Sequence, residues 1–124
     1  MERQILSYGK YFPEFYLSIS QEVQEKIDYV FELVKKIDQV PKRFLKHLDG
    51  TDGIYEIRVE YQNNIYRIFC FFDKGNLIIL INSFQKKAQK IPKREIELAV
   101  KLKKQYFLDK QITEENEVRK KIKK

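Results

Sequence analysis

Hydrophobic and polar residues alternate with a period of two through the middle of the chain, the pattern of half-buried strands. Turn-forming residues separate the alternating segments at Asn63-Asn64 and over residues 73–76. The pattern therefore predicts an antiparallel meander of three strands, Ile54–Tyr61, Ile65–Phe72 and Leu77–Phe84.

Helical spacing of apolar residues predicts helices on either side of this meander. Ser20 is suited to cap a helix whose apolar positions are Val23, Ile27, Val30, Phe31, Val34 and Ile37. Pro41 ends or restarts that helix, and residues 41–50 predict a second, short one closed by Gly50. Pro92 opens a final helix over Arg94–Tyr106.

The N-terminal part reads as a short strand, Arg3–Tyr8, followed by an aromatic loop over residues 9–15. The chain of 124 residues, 43% of them hydrophobic, suits one domain with its own core. We expect that domain over residues 1–108, and a basic polar tail, helical or disordered, over residues 109–124. No apolar run is long enough for a membrane helix and no signal-peptide pattern begins the chain, so we expect a cytoplasmic protein that does not contact membranes.

Charge is distributed unevenly along the chain, whose formal net charge is +7. Residues 1–85 hold 11 Lys or Arg and 12 Asp or Glu, whereas residues 86–124 hold 14 and six. A basic C-terminal third suits a polyanionic partner. A solubilising lysine-rich helix and tail explains the same charge equally well.

Metal and thiol chemistry find little support in the sequence. Cys70 is the one cysteine and His47 the one histidine, too few for a common four-ligand zinc site. Cys70 lies within an apolar strand, where a buried thiol is expected, and His47 is expected to be satisfied or solvent-facing rather than catalytic. We therefore expect no metal and no cofactor.

Two arginines are predicted to share one face of the sheet. With Asn63-Asn64 as the turn, Arg58 and Arg67 are diagonal neighbours, close enough to hold one phosphate. In the same register Glu60 lies opposite Arg67, and Glu56 lies within reach of Arg58. Cross-strand ion pairs of purely structural value are thus the alternative to an anion site.

More cations follow the last predicted strand, and aromatic residues accompany the arginines on their face. This combination favours RNA, whose bases stack on aromatic rings while cations hold the phosphates. The predicted contacts at and after the strand end are Gln85, Lys86, Lys87, Lys90, Lys93 and Arg94.

The segment LKHLDGTDGIYEIRVEYQNNIYRIFCFFDKGNLIILINSFQKKAQKIPKREIELA resembles the RelE/HigB superfamily of bacterial toxins, in particular its phage-derived branch. The resemblance covers roughly residues 45–105 and rests on IYE-x-R, YRI-x-x-FF and F-x-KK-x-x-x-x-P-x-x-E-I in that order. It implies an α+β fold of the microbial ribonuclease type. An N-terminal strand and two helices pack on an antiparallel sheet in that fold, and a C-terminal helix follows.

The resemblance also implies a function and partners. The function is that of a toxin in a type II toxin–antitoxin system, a metal-independent endoribonuclease that cleaves mRNA on the ribosome and so inhibits translation. The expected partners are mRNA, the ribosome and a cognate helix-turn-helix antitoxin similar to HigA, with DNA bound only through the antitoxin complex.

Four residues of this chain match basic positions of the superfamily. Arg58 and Arg67 match active-site positions, and Lys86 and Lys87 match the basic residues after the last central strand. Glu56 stands where some members carry a second basic residue. The aromatic residue that some members place near the start of the last helix has no clear counterpart here.

The implied reaction is attack of a ribose 2′-hydroxyl on the adjacent phosphate. The sequence shows no obvious His/Glu acid–base pair, but a cluster of cations lowers the pKa of a lysine towards neutrality. We therefore assign Arg58 and Arg67 to the phosphate and Lys86 or Lys87 to proton transfer. Two other functions stay open: a non-catalytic RNA- or ribosome-binding module, and a protein-interaction domain with structural arginines.

Overall fold

A sheet of five strands separates two apolar layers in the computed structural model, which describes residues 2–86 and 90–122. In chain order the elements are β1 (Gln4–Ser7), α1 (Tyr11–Ser18), α2 (Gln21–Lys36), β2 (Leu45–His47), β3 (Tyr55–Tyr61), β4 (Asn64–Asp73), β5 (Leu77–Lys86) and α3 (Lys93–Ile122). The strand order is β1-β5-β4-β3-β2. β1 runs parallel to β5, and the other neighbours are antiparallel. The α+β class and the predicted meander are confirmed.

Each face of the sheet is covered by helices. One apolar cluster joins the sheet to α1 and α2 and includes Ile27, Val30, Ile57 and Ile68, all fully buried. The other cluster lies beneath α3 and includes the fully buried Phe69, Phe71, Ile81 and Ala99. Strand β4 is central and contributes to both clusters, which explains why its apolar residues run on almost without interruption.

The hairpin between β3 and β4 turns at Gln62-Asn63, one residue earlier than predicted. Both residues have positive φ, 48° and 66°, as a two-residue turn of the type I′ class requires. Tyr61 therefore pairs with Asn64, and Arg58 lies directly opposite Arg67. The predicted diagonal arrangement of the arginines was wrong by two positions, a shift that leaves every side chain on its predicted face.

A β-bulge in β5 changes the predicted second hairpin. Cys70 pairs with Leu80 and Ile68 pairs with Ser83, so two residues of β5 lie opposite the single residue Phe69. A four-residue loop over residues 73–76 predicts that Phe72 pairs with Leu77; this is also wrong, because Asp73 pairs with Leu77.

Because of the bulge, the predicted faces of β5 side chains are wrong before it and correct after it. Unbroken alternation after the loop at residues 73–76 predicts Ile78, Leu80 and Phe84 on the face of Arg58 and Arg67, and Ile79 and Ile81 on the other face. Before the bulge the reverse is found, because Ile78 and Leu80 face α1 and α2 while Ile79 and Ile81 face α3. After it, Phe84 lies opposite Arg67 and packs against Phe69 as predicted for that face.

Residues 11–18 form helix α1, where an aromatic loop was predicted. Pro13 lies in the first turn, where its missing N–H deprives the helix of no hydrogen bond. Phe12, Phe15 and Tyr16 follow helical spacing and pack against the first apolar cluster. This packing, rather than any capping residue, holds the short helix: the side chain of its N-cap residue, Lys10, makes no capping bond.

Residues 41–50 were predicted as a short helix and instead form a turn followed by strand β2. The amides of Phe44 and Leu45 donate to the carbonyl of Pro41, and Leu45 then pairs with Ile57 of β3. Pairing with an open sheet edge thus prevails over the local helical spacing. The predicted helices at α2 and α3 are confirmed, with Ser20 Oγ accepting from the amide of Val23.

Helix α3 continues through Ile122, beyond the predicted end at Tyr106. Within residues 2–86 and 90–122, no helix combines the length and apolar character needed to cross a membrane. The helix is fixed to the sheet by Asp73, a buried carboxylate at the end of β4 that accepts from Tyr106 Oη at 2.7 Å and Lys110 Nζ at 2.9 Å. Burial alone raises the pKa of Asp73, but these two donors outweigh it and lower the pKa below its usual value.

We expect the Asp73→Asn substitution to lower the free energy of unfolding by about 1–3 kcal/mol at pH 7, because the charge-assisted bonds from Tyr106 and Lys110 weaken. The lowered pKa of Asp73 means that its contribution is complete above about pH 4 and is lost as the pH falls through the folded-state pKa. Urea titrations of both proteins across pH 2.5–7 measure this, and Glu117→Gln, at an exposed carboxylate far along the same helix, is the control. A difference independent of pH would contradict the assignment.

Candidate active site

A buried ion pair occupies the sheet face beneath the start of α3. Arg67 Nη1 of β4 donates to Glu56 Oε1 of β3, and the two residues are only 8% and 3% exposed. A pair so deeply buried requires good geometry, because each charge loses its hydration. The sequence had predicted Glu60 as the partner of Arg67; the shifted register gives Arg67 to Glu56 instead.

Arg58 lies beside this pair, directly across from Arg67. Its Nη2 contacts Glu60 Oε1 at 3.0 Å, so the predicted partners of the two arginines are exchanged. The Arg58 side chain is 34% exposed, whereas that of Arg67 is 9% exposed. Arg58 therefore connects the buried part of the cluster with solvent.

Lys86 is the third cation of the cluster. The bulge in β5 turns it to the face of Arg67, and it is 7% exposed. None of the residues that the structure describes accepts a hydrogen bond from its Nζ. Burial, followed by the positive charge of Arg67, lowers the pKa of Lys86, with a smaller opposing effect from Glu56. We refer below to Glu56, Arg58, Arg67 and Lys86 as the cationic cluster.

A cleft of about 390 Å³ opens over Glu56, Arg58 and Arg67. One wall comes from β2 and the residues that flank it, and the other comes from α3 and the residues before it. The lining side chains outside the cluster are Lys42, Lys46, His47, Leu48, Asp49, Ile91 and Ile96. The exposed lysines add positive charge at the rim, so the cleft suits a phosphate group.

His47 is exposed, as predicted, and its ring meets that of Tyr55 edge-on with centroids 5.2 Å apart. No sequence pattern indicated that His47 lines the cleft, because its segment was predicted as a helix. Lys42, Lys46 and His47 were all missed as cleft residues for this reason.

The remaining predicted RNA contacts lie at the surface around the start of α3. Lys90, Lys93 and Arg94 are exposed, and exposed Gln85 donates to Asn64 Oδ1 at 3.1 Å. None of these four lines the cleft. Lys87 lies outside the described residues.

Cys70 is fully buried, and burial raises the pKa of its thiol. A thiol held in its protonated form is a poor nucleophile, so Cys70 acts as a small apolar residue of the core, as predicted.

A family model described as "Phage derived protein Gp49-like (DUF891)" matches residues 14–104. This chain belongs to the Gp49-like family. The family is part of the clan of RelE/HigB-like toxins, so the chain is toxin-like in its general character. A search of curated proteins found no match.

The matched span of the Gp49-like chain contains the whole cationic cluster and both walls of the cleft. It ends at residue 104, so the last turns of α3 fall outside it. The family match therefore concerns α2, strands β2 to β5, the cleft and the first part of α3, whereas β1 precedes it.

Proposed function

We propose that this protein is a cytoplasmic endoribonuclease toxin of a type II toxin–antitoxin system, of the HigB-like kind, which cleaves mRNA on the ribosome. The observation that carries the proposal is the cationic cluster, in which Glu56, Arg58 and Arg67 line the floor of a basic cleft and the buried Lys86 adds a third cation beside them. One ion pair accounts for Glu56 and Arg67, and Glu60 outside the cluster pairs with Arg58. Lys86 forms no ion pair with a described residue, and the nearby Glu56 is already paired with Arg67.

An RNA phosphate supplies the negative charge that the cluster lacks. The Nε atoms of Arg58 and Arg67 and the Nζ of Lys86 are buried, and no described residue accepts a hydrogen bond from them. Buried donors of this kind are costly and usually indicate a missing partner. A phosphate carries several acceptor oxygens and is suited to arginine forks.

The proposed reaction is an internal transfer within RNA. The ribose 2′-oxygen forms a bond to the adjacent phosphorus while the bond from phosphorus to the 5′-oxygen breaks. The products are a 2′,3′-cyclic phosphate and a free 5′-hydroxyl. Arg58 and Arg67 stabilise the charge that develops on the phosphorane oxygens.

Proton transfer is assigned to Lys86, since the lowered pKa of this residue increases the fraction of neutral amine available at neutral pH. The neutral amine accepts the 2′-hydroxyl proton. The resulting ammonium returns a proton to the departing 5′-oxygen. No metal or cofactor enters this scheme, and every proton has a donor and an acceptor.

The proposed partners follow from the same function. A toxin that cleaves mRNA requires a neutralising antitoxin, proposed to be a helix-turn-helix protein encoded beside it, with DNA bound only through their complex. Growth arrest on induction of this chain alone, relieved by the neighbouring gene, is the expected result. Absence of arrest would favour a non-catalytic module.

A non-catalytic RNA-binding module is the second candidate. The deep burial of the Glu56–Arg67 pair favours it, because Arg67 is already satisfied in part by a structural partner. Such a module would bind RNA and leave it intact. Product analysis therefore separates the two functions.

We expect Arg58→Ala to reduce cleavage about 100- to 1,000-fold, the usual effect of removing one donor to a transition-state oxygen. Because Arg58 is partly exposed and its partner Glu60 is exposed, the stability should change by less than about 1 kcal/mol. Purified protein is incubated with translating extract, and the cut RNA is tested for 2′,3′-cyclic phosphate and 5′-hydroxyl ends.

Arg119→Ala is the matched control, since Arg119 is an exposed arginine far along α3. It should cleave like the unaltered protein. Equal cleavage by the Arg58→Ala protein would remove Arg58 from the site. Intact RNA with the unaltered protein would overturn the proposed nuclease in favour of the binding module.

A further inference from the structure

A second concavity of about 380 Å³ lies beside the cleft, where α2 meets the outer edge of the sheet. Helix α2 contributes Lys26, Tyr29 and Val30, and the segment before β2 contributes Arg43 and Phe44. Two residues of β3 complete the lining, Arg58 and Glu60. Arg58 also lines the cleft over the cationic cluster, so the two concavities share this side chain.

Exposed aromatic surface sets this concavity apart. Tyr29 is 56% exposed although it lies on a helix whose other face is fully buried. The two aromatic side chains each have a cation over the ring: Lys26 Nζ lies 5.3 Å from the Tyr29 ring centroid, and Arg43 Cζ lies 4.7 Å from that of Phe44. Tyr29 thus presents much of its ring to solvent in a concavity that also holds the cations Lys26 and Arg43.

Rings and cations together are the elements of a site for an unpaired nucleobase. Every base has a flat face that stacks on an aromatic ring, and the phosphates on either side of it are held by lysine and arginine. Duplex RNA keeps its bases stacked within the helix, so it presents no such face to Tyr29.

We propose that this concavity is a base-binding subsite for single-stranded RNA, in which Tyr29 stacks on an unpaired base and Lys26 and Arg43 hold its flanking phosphates. The proposal rests on the proposed function, and it adds the strandedness of the substrate and the path of the RNA. From this subsite the RNA strand passes Arg58 and enters the cleft, so Arg58 contacts the phosphate between the base-binding subsite and the cleft. Glu60, bonded to Arg58, keeps that guanidinium at the shared rim.

Binding of uncleavable RNA tests the subsite. The probe is a fluorescein-labelled 12-nucleotide single strand with every ribose 2′-O-methylated, which removes the attacking hydroxyl. We expect Tyr29→Ala to raise the dissociation constant about tenfold, the effect of losing one stacked base. Tyr29→Phe, which keeps the ring, should bind like the unaltered protein, and a duplex probe of the same sequence should bind the Tyr29→Ala protein unchanged.

Leu17→Ala is the matched control, because Leu17 is 80% exposed on α1 and its loss removes a bulky side chain elsewhere. Unchanged single-strand affinity in Tyr29→Ala, or equal loss in Tyr29→Phe, would overturn the subsite. Equal weakening of duplex binding would also overturn it, since the ring would then not be reading an unpaired base.

Cleavage of ordinary RNA by the same proteins separates this proposal from the proposed nuclease. If RNA binding depends on Tyr29 but no RNA is cleaved, the subsite is supported and the proposed nuclease is overturned. If the Tyr29→Ala protein cleaves RNA with an unchanged KM, the nuclease is supported and the subsite is overturned. If the unaltered protein neither binds nor cleaves RNA, both proposals are overturned.

Discussion

Lys86→Met is expected to reduce RNA cleavage about 100- to 10,000-fold, the contribution of a positioned general acid–base group, and to make the protein more stable at the same time. The two effects have one cause. Nζ of Lys86 is buried beside Arg67, and no described residue accepts its hydrogen bonds. An apolar side chain of similar length removes that unfavourable burial together with the proton carrier.

The gain in the free energy of unfolding should be about 1–3 kcal/mol at pH 7, the usual cost of an unsatisfied buried polar group. Its pH dependence follows from the lowered pKa of Lys86. The unfolded chain binds the proton more tightly, so Lys86 destabilises the fold fully below its folded-state pKa and ceases to do so above 10.5, its ordinary value. The advantage of Lys86→Met should therefore shrink as the pH rises.

Urea unfolding between pH 6 and 10, with cleavage of translated mRNA as the second readout, measures both effects. Lys10→Met is the control, because Lys10 is exposed at the start of α1, remote from the cationic cluster. Full cleavage by Lys86→Met would transfer the proton-transfer role to another residue, with Lys87 the alternative assigned from the sequence. A less stable Lys86→Met protein would show that Nζ has a partner in the fold.

Glu56→Gln is expected to cause the largest loss of stability, about 3–5 kcal/mol, or roughly 10–20 °C in Tm. The substitution leaves Arg67 buried without its counter-charge, next to Arg58 and Lys86. Breaking one side of a buried pair is costly because the remaining charge keeps its desolvation and loses its attraction. Calorimetry of the purified protein measures the loss.

The double variant Glu56→Leu/Arg67→Met distinguishes the structural from the catalytic share of this pair. Two apolar side chains of similar volume should recover most of the stability. Cleavage should stay abolished, because the phosphate has lost Arg67. Recovery of cleavage in the double variant would contradict a role for Arg67 in the reaction and favour a purely structural pair.

The sequence predicted the sheet well because its strands are long and are separated by turn-forming residues. The faces of β3 follow from its alternation, and the predicted hairpin extends them to the nearly continuous apolar strand β4. They placed Arg58 and Arg67 together even though the register was wrong. The turn was misplaced because Gln62, Asn63 and Asn64 offer two overlapping candidates. An error of two positions is invisible to a pattern whose period is two.

The elements that were predicted wrongly, β2 and α1, depend on contacts between segments that are distant in the sequence. Residues 45–47 become a strand because β3 presents an open edge, and no local pattern reveals that edge. With β2 unrecognised, the wall of the cleft that contains Lys46 and His47 could not be predicted. Residues 11–18 likewise form a helix because they pack against the first apolar cluster. From the sequence alone, Gly9 and Pro13 favoured a loop there.

The bulge in β5 bears on how this chain tolerates changes in length. Ile81 and Asn82 of β5 lie opposite the single residue Phe69 of β4, so β5 carries one extra residue there. Every side chain of β5 after this point lies on the face opposite to the one that an unbroken alternation would give it. Loss of a single codon there would remove the extra residue and leave one residue opposite Phe69. The strand would keep its pairing on both sides, so Phe84 and Lys86 would stay on the face of Arg67. This chain can thus shorten by one residue at the bulge and keep both its sheet and its cluster of cations.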